Sequence, residues 1–219
     1  ITTIVVNFFL AFMLVYASDW TNDNNFGLLH LLNSSTLLSI IIGVLLLDLV
    51  GAYLPHLVQH KVKLLWYIHI VHHTDQNVDT TTANRHHPFE SIVRFIFTLT
   101  GIIISGAPIG LVLMYQSLSV IFSQFNHANI QISDKVDKVL SYIIVSPNMH
   151  KVHHHFKLPY TDSNYGNIFS LWDRLFGTYM ELNKNQIIYG VDTDLDEIQN
   201  SKFMSLIERP FKKWSEYFN

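Results

Sequence analysis

The sequence predicts an all-α integral membrane helical bundle: about four transmembrane or re-entrant helices carrying a cytosolic, histidine-rich helical cap. Three observations lead there. Of the 219 residues 49% are apolar and only 14% charged, with a mean hydropathy of +0.22, whereas about a quarter of an ordinary soluble domain is charged. Lys and Arg are absent before Lys61 and again between Arg94 and Lys135, and those gaps hold the apolar runs. Most of the 13 histidines crowd into short segments beside the runs.

Taken in order, residues 1–17 (ITTIVVNFFLAFMLVYA) form the first run. A spanning helix needs roughly 20 apolar residues, with about 17 as the lower limit. The first run meets that limit if the natural chain starts before Ile1; the competing reading is a signal peptide, against which stands the lack of a basic leading segment. Residues 36–54 (TLLSIIIGVLLLDLVGAYL) form a second run that passes outright. Residues 92–125 are interrupted near Gly106-Ala107-Pro108 and read as a helical hairpin whose short first arm spans or re-enters the bilayer. Loop 18–35 contains Asp19 and Asp23 and no Lys or Arg, whereas Lys61, Lys63 and Arg85 follow the second run. The positive-inside rule therefore places loop 18–35 outside and the histidine segments in the cytoplasm. The tail from about residue 180 is polar, with acidic residues at Asp192, Asp194, Asp196 and Glu197. It ends in FMSLIERPFKKWSEYF, an amphipathic helix expected to break at Pro210 and to lie on the membrane surface or pack on the cap.

Composition also excludes. The chain has no cysteine, which removes disulfides, thiolate metal sites and a cysteine nucleophile. A net charge of −3 gives no sign of a nucleic-acid partner.

The histidines are the informative feature. His56 and His60 stand four apart and share a helix face; His69, His72 and His73 fall within about 100° of helix surface, and His150, His153 and His154 repeat that H-x-x-H-H spacing. Three short helices can thus aim eight imidazoles at one point, while His155 points elsewhere as a surface or supporting residue. Imidazole suits zinc, copper, iron and nickel, and eight nitrogens exceed the about four to six that one such ion takes, so a two-metal site is expected. His127, at the end of the hairpin, is expected to join the ligands. His87 precedes Pro88, which pushes it out of helical backbone and suits a ligand or a structural anchor; His86 is the weaker candidate of that pair. His30 lies on the outer side and is left out.

H-x-x-x-H (56–60), H-x-x-H-H (69–73), HHPFE (86–90), NH (126–127), H-x-x-H-H (150–154) and NYGNIFSLWDRLFGTY (164–179) occur in this order. The chain from about 48 to 190 resembles the fatty acid hydroxylase/sterol desaturase superfamily, particularly its short bacterial members. The resemblance implies a catalytic domain at 36–180, preceded at 1–35 by a transmembrane helix and external loop and followed at 181–219 by a cytosolic tail. It implies two iron ions held by His56, His60, His69, His72, His73, His87, His127, His150, His153 and His154, with no catalytic residue beyond them. It also implies O2 as co-substrate, a membrane lipid as substrate, and hydroxylation or desaturation as the reaction. No cytochrome b5-like segment occurs in these residues, so a separate electron-transfer protein is implied. Asp48 lies inside an apolar run, where a carboxylate is costly without a partner; relatives often have an acidic residue there, which makes it an orienting partner for a ligand histidine, with a helix-packing hydrogen bond as the alternative. Glu90 has the same status. Asp75 and Asp79 are expected in solvated loop, and Asp173 and Arg174 as a pair that locks the cap.

Leu57 and Gln131 depart from the superfamily, where Arg often follows the first histidine and some fatty acid 2-hydroxylases carry a further histidine four residues after the one that matches His127. A metal-binding or transport protein is the rival of another class, although transporters place ligands near the bilayer midplane. A zinc hydrolase is disfavoured because no H-E-x-x-H occurs.

Overall fold

Inside hydrocarbon a chain must satisfy its own backbone hydrogen bonds, so apolar runs fold as helices. The computed structural model of the protein describes residues 2–32 and 34–218, with side chains from residue 10 onward. In it α1 (Thr2–Asp23) packs along α6 (Pro88–Ser105), and a short α2 (Leu28–Leu32) leads into α3 (Thr36–Asp48). A π-helical turn (Leu49–Tyr53) joins α3 to α4 (Leu54–Lys61), and α5 (Lys63–His73) folds back on α4. After α6 come α7 (Ile109–His127), α8 (Asp134–Leu140), α9 (Pro147–His153), α10 (Leu171–Leu175), α11 (Glu197–Ser201) and α12 (Phe203–Phe218). Among the described residues three stretches are long and apolar enough to cross a membrane: Thr36–Lys61 with 26 residues, Pro88–Ser105 with 18 and Ile109–His127 with 19.

The second run does not stop at Leu54 but continues to Lys61 and carries His56 and His60 out on its end. Pro55 lacks the N–H that an α-helix would direct to residue 51. The π turn absorbs the defect, because Leu54 N–H reaches back five residues to Leu49 O. The extended backbone of Val62 (φ −98°, ψ 108°) then turns α5 against α4.

The expected hairpin forms at Gly106, whose φ of 68° is open to glycine without strain, and a Cβ there would stand 2.3 Å from Phe26 O. Ser18 Oγ donates to Ala107 O at 2.8 Å, so the loop after α1 and the hairpin turn share one end of the bundle. His30 lies at that end too, beside Gly106. Leu47, Ile102, Val112 and Tyr115 form the core between α3, α6 and α7.

Asp48 touches no histidine, contrary to the orienting role considered for it. Its carboxylate accepts from Ile168 N–H (3.3 Å), Phe169 N–H (3.2 Å) and Trp172 Nε1–H (2.9 Å). It therefore staples the loop before α10 to a membrane helix, and each buried donor left unpaired would cost about 1–3 kcal/mol. The reason is distance along the chain: eight residues separate it from His56, about 12 Å of helix. Asp173 and Arg174 do not pair either. Asp173 accepts from the Tyr165 and Gly166 N–H groups at 2.7 and 2.9 Å and from Thr178 Oγ1 at 2.7 Å. Arg174 donates to Ser141 O at 2.9 Å and lies 3.8 Å over the Tyr179 ring. Adjacent helical residues point about 100° apart, so each finds its own partner.

Nor does Pro210 break α12, which runs through it with Arg209 and Pro210 buried. Arg209 donates to Asn200 Oδ1 at 2.6 Å and pairs with Asp194, and Trp214 Nε1–H donates to Leu64 O at 3.0 Å. The Trp214 contact holds the helix against α5 and the Arg209 contacts tie it to α11 and the loop before it, across the lost backbone bond.

Candidate metal centre

Nine histidines meet at the end of the bundle away from Gly106. His56, His60, His69, His73 and His153 form one group and His72, His127, His150 and His154 a second, with the ligating nitrogens of each group within 4.8 Å of one another. The two H-x-x-H-H segments contribute reciprocally. On α5, His69 and His73 face the first group and His72 the second; at α9, His150 and His154 face the second and His153 the first. Four-residue spacing keeps a pair on one face, and the histidine between them diverges enough to serve the neighbouring group. His127, the last residue of α7, completes the second group. The groups adjoin, with the His73 and His154 ring centroids 4.7 Å apart.

The nitrogens are disposed as a metal requires. Four Nδ1 atoms face backbone carbonyls, His56 with Tyr165 O (2.8 Å), His72 with Thr82 O (3.1 Å), His127 with Ser123 O (2.7 Å) and His153 with Ser163 O (2.6 Å), whereas those of His73, His150 and His154 are buried without a partner. Asp162 faces His60 Nδ1 at 3.2 Å and Glu90 faces His69 Nδ1 at 3.1 Å. Such partners fix the tautomer and leave Nε2 free to ligate. The Nε2 atoms accordingly converge: His127 Nε2 stands 3.1, 3.0 and 3.2 Å from those of His72, His150 and His154. Nitrogens about 2.0–2.1 Å from one ion lie about 3.0 Å apart at right angles and about 3.4 Å apart in a tetrahedron. One N–H cannot satisfy three facing acceptors, whereas one ion can. In the first group the buried Nε2 atoms of His56, His60 and His153 have no hydrogen-bond partner. The residues therefore fit two metal ions.

Burial pushes the imidazoles of His72, His73, His150, His153 and His154 well below the usual histidine value, and neighbouring imidazoles add to the shift. The rings are thus held neutral, the form that binds metal.

His87, expected as a ligand or an anchor, takes the anchoring role. Its Nδ1 accepts from Phe89 N–H at 3.2 Å as the cap of α6, and its Nε2 faces Ile207 O at 3.1 Å, outside both groups. Pro88 sets its extended backbone, as the sequence indicates, but capping then turns the ring away. His86, the weaker candidate, sits closer: its Nδ1 is 3.0 Å from Glu90 Oε1 and its ring stacks on His72 at 4.6 Å. Glu90 therefore faces His69 and His86 from one buried carboxylate, and the three form a further group whose ligating atoms lie within 4.8 Å of one another. His155 is turned away from both groups as its spacing implies, yet it is buried, and its Nδ1 accepts from Ile188 N–H at 3.2 Å.

A cavity of about 40 Å³ opens beside the histidines and is lined also by Gln59, Arg94 and Tyr165. The Tyr165 hydroxyl and Gln59 Oε1 are buried there without partners. None of the three was singled out from the sequence. Gln59 and Arg94 stand next to histidine or glutamate motifs, and Tyr165 lies inside NYG, which were the available signals.

The sequence pattern of the fatty acid hydroxylase family matches residues 40–178. The ornithine lipid hydroxylase OlsE of Rhizobium tropici is 24% identical over 140 residues, covering 64% of this chain and 41% of that protein. Alkylglycerol monooxygenase of Caenorhabditis elegans is 29% identical over 146 residues (65% of this chain, 27% of that protein), and that of Danio rerio 32% over 146 residues (64% and 30%). The chain thus spans between 27% and 41% of the length of these relatives. No solved structure matches it.

Proposed function

The chain belongs to the fatty acid hydroxylase family, and from that premise we propose that it is a di-iron, O2-dependent hydroxylase of a membrane lipid. The observation that carries this reading is the pair of adjoining all-imidazole groups, five nitrogens and four, at the end of a membrane bundle. Two irons held there would supply the oxidising power that an unactivated C–H bond requires and that acid–base side chains lack. His56, His60, His69, His73 and His153 would hold one ion, and His72, His127, His150 and His154 the other. Imidazole also withstands an oxidising centre better than thiolates, which climb to sulfenic and sulfinic acids. Glu90, Asp162 and the Thr82, Ser123 and Ser163 carbonyls would keep the rings aimed. Arg94, Gln59 and Tyr165 would meet the lipid in the cavity beside the histidines.

The four-nitrogen group has fewer protein ligands and is the natural place for an open coordination position. An external protein supplies the electrons, and the histidine cap faces the cytoplasm. A transporter reading gains nothing from the geometry, because the ligands gather at one end of the bundle rather than at its middle.

Lipid extracts of cells with and without the protein, compared by mass spectrometry, test the activity. A lipid gaining one oxygen atom is the expected product. Loss of two hydrogens instead would make the enzyme a desaturase, and an unchanged lipid profile in cells containing metal-loaded protein would overturn the reading. Sidedness is tested by labelling intact cells with an impermeant thiol reagent, made clean by the absence of cysteine from these 219 residues. Ser35→Cys is expected to react and Asp75→Cys and Ser163→Cys to stay protected; the opposite pattern would invert the protein in the membrane.

A further inference from the structure

Beyond residue 178, where the family pattern ends, α12 presents a stripe that the described residues leave largely exposed. Met204, Phe211 and Phe218 are spaced seven residues apart and are 60%, 48% and 71% exposed. A seven-residue step drifts only about 20° around a helix, so the three form one apolar line. Glu208 and Lys212 pair with each other at 2.9 Å on an adjoining face.

The surroundings of the stripe say what covers it. Phe211 lies 5.8 Å from Phe89, and Trp214 stacks on Phe89 at 6.2 Å with the rings 13° apart. Phe89 is the second residue of α6, one of the membrane-spanning helices. Along α6 the exposed face continues through Phe89 (37%), Ile92 (41%) and Ile96 (53%). The α12 stripe is therefore continuous with the surface α6 turns to lipid, at the level where that helix enters the bilayer. Aromatic side chains favour that level, where an apolar ring body meets a wet edge. Lys63, 4.9 Å over the Tyr217 ring, adds positive charge nearby that suits anionic headgroups.

We propose that α12 is an interfacial helix that lies in the membrane surface on the histidine side, with Met204, Phe211 and Phe218 in the headgroup–acyl boundary, about 5–10 Å deep as such helices sit. The helix also grips α5 through Trp214 and Leu64, so the surface of the bilayer fixes the segment that carries His69, His72 and His73. The inference rests on the membrane-spanning bundle and not on the redox reading, which it survives or loses independently.

Single cysteines at 204, 211, 218, 208 and 212, each bearing a nitroxide in proteoliposomes of zwitterionic lipid with a fraction of anionic lipid, test it. Electron paramagnetic resonance saturation compares collisions with O2, which concentrates in the bilayer, and with a water-soluble nickel chelate. Labels at 204, 211 and 218 are expected to favour O2, and those at 208 and 212 the chelate. Equal access of the chelate to both sets would put α12 in water. Immobile labels at 204, 211 and 218 that neither reagent reaches would mean that a second protein covers the stripe. Either result overturns the proposal. Phe211 takes part in an aromatic cluster, so if Phe211→Cys fails to fold, the exposed positions 204 and 218 decide.

Discussion

Replacing His153 with alanine is expected to abolish lipid oxidation, and replacing His72 is expected to do the same from the other group, while His155→Ala retains most of it. His153 is fully buried, its Nδ1 is fixed 2.6 Å from Ser163 O, and its Nε2 points among those of His56, His60, His69 and His73. Alanine there removes a nitrogen that no nearby group replaces. The loss should exceed the roughly 10–100-fold that follows when only an outer partner of a ligand is removed. His155 is one residue further along but ends in a different environment. Its ring packs between Phe156 and Tyr160, with centroids at 4.9 and 5.4 Å, and serves the backbone of Ile188. Its loss leaves one N–H unpaired, at about 1–3 kcal/mol of stability. Activity and melting temperature measured on both variants separate the two roles. If folded His155→Ala with full metal content were as inactive as His153→Ala, the assignment of faces at 150–155 would be wrong.

The spacing of His56, His60, His69, His72, His73, His150, His153 and His154 made most of the site legible, because helical faces follow from residue intervals alone. It did not reveal how the histidines divide between two groups, since that depends on how α5 and α9 approach each other. Gly106 with Pro108 marked the hairpin for local reasons that survive in the fold. Asp48 shows the limit of the same reasoning. Its burial in an apolar run demanded partners, but those on residues 168–172 are more than a hundred positions away, and no local pattern points to them. His87 stays outside both groups because a cap competes for its ring, while His86 lies against Glu90 and His72, and only the three-dimensional path of 86–90 decides that contest. At Pro210 a local breaker lost to tertiary contacts from Asp194, Asn200 and Leu64.

Metal content is the second large effect and the most direct test of the centre. Five and four converging imidazoles are more than one ion can use, and the two groups share no histidine. Ions would be held by neutral nitrogen alone, a donor set that binds iron but binds zinc more tightly when both are present as divalent ions. Protein prepared at native expression levels without chelators is therefore the sample to use, since overproduction would load zinc into the same sites. Elemental analysis of that folded protein is expected to give two transition-metal ions per chain, both iron. A value of one ion or fewer, in protein that is folded and has not met a chelator, would contradict the two-metal centre on which this account of the chain is built.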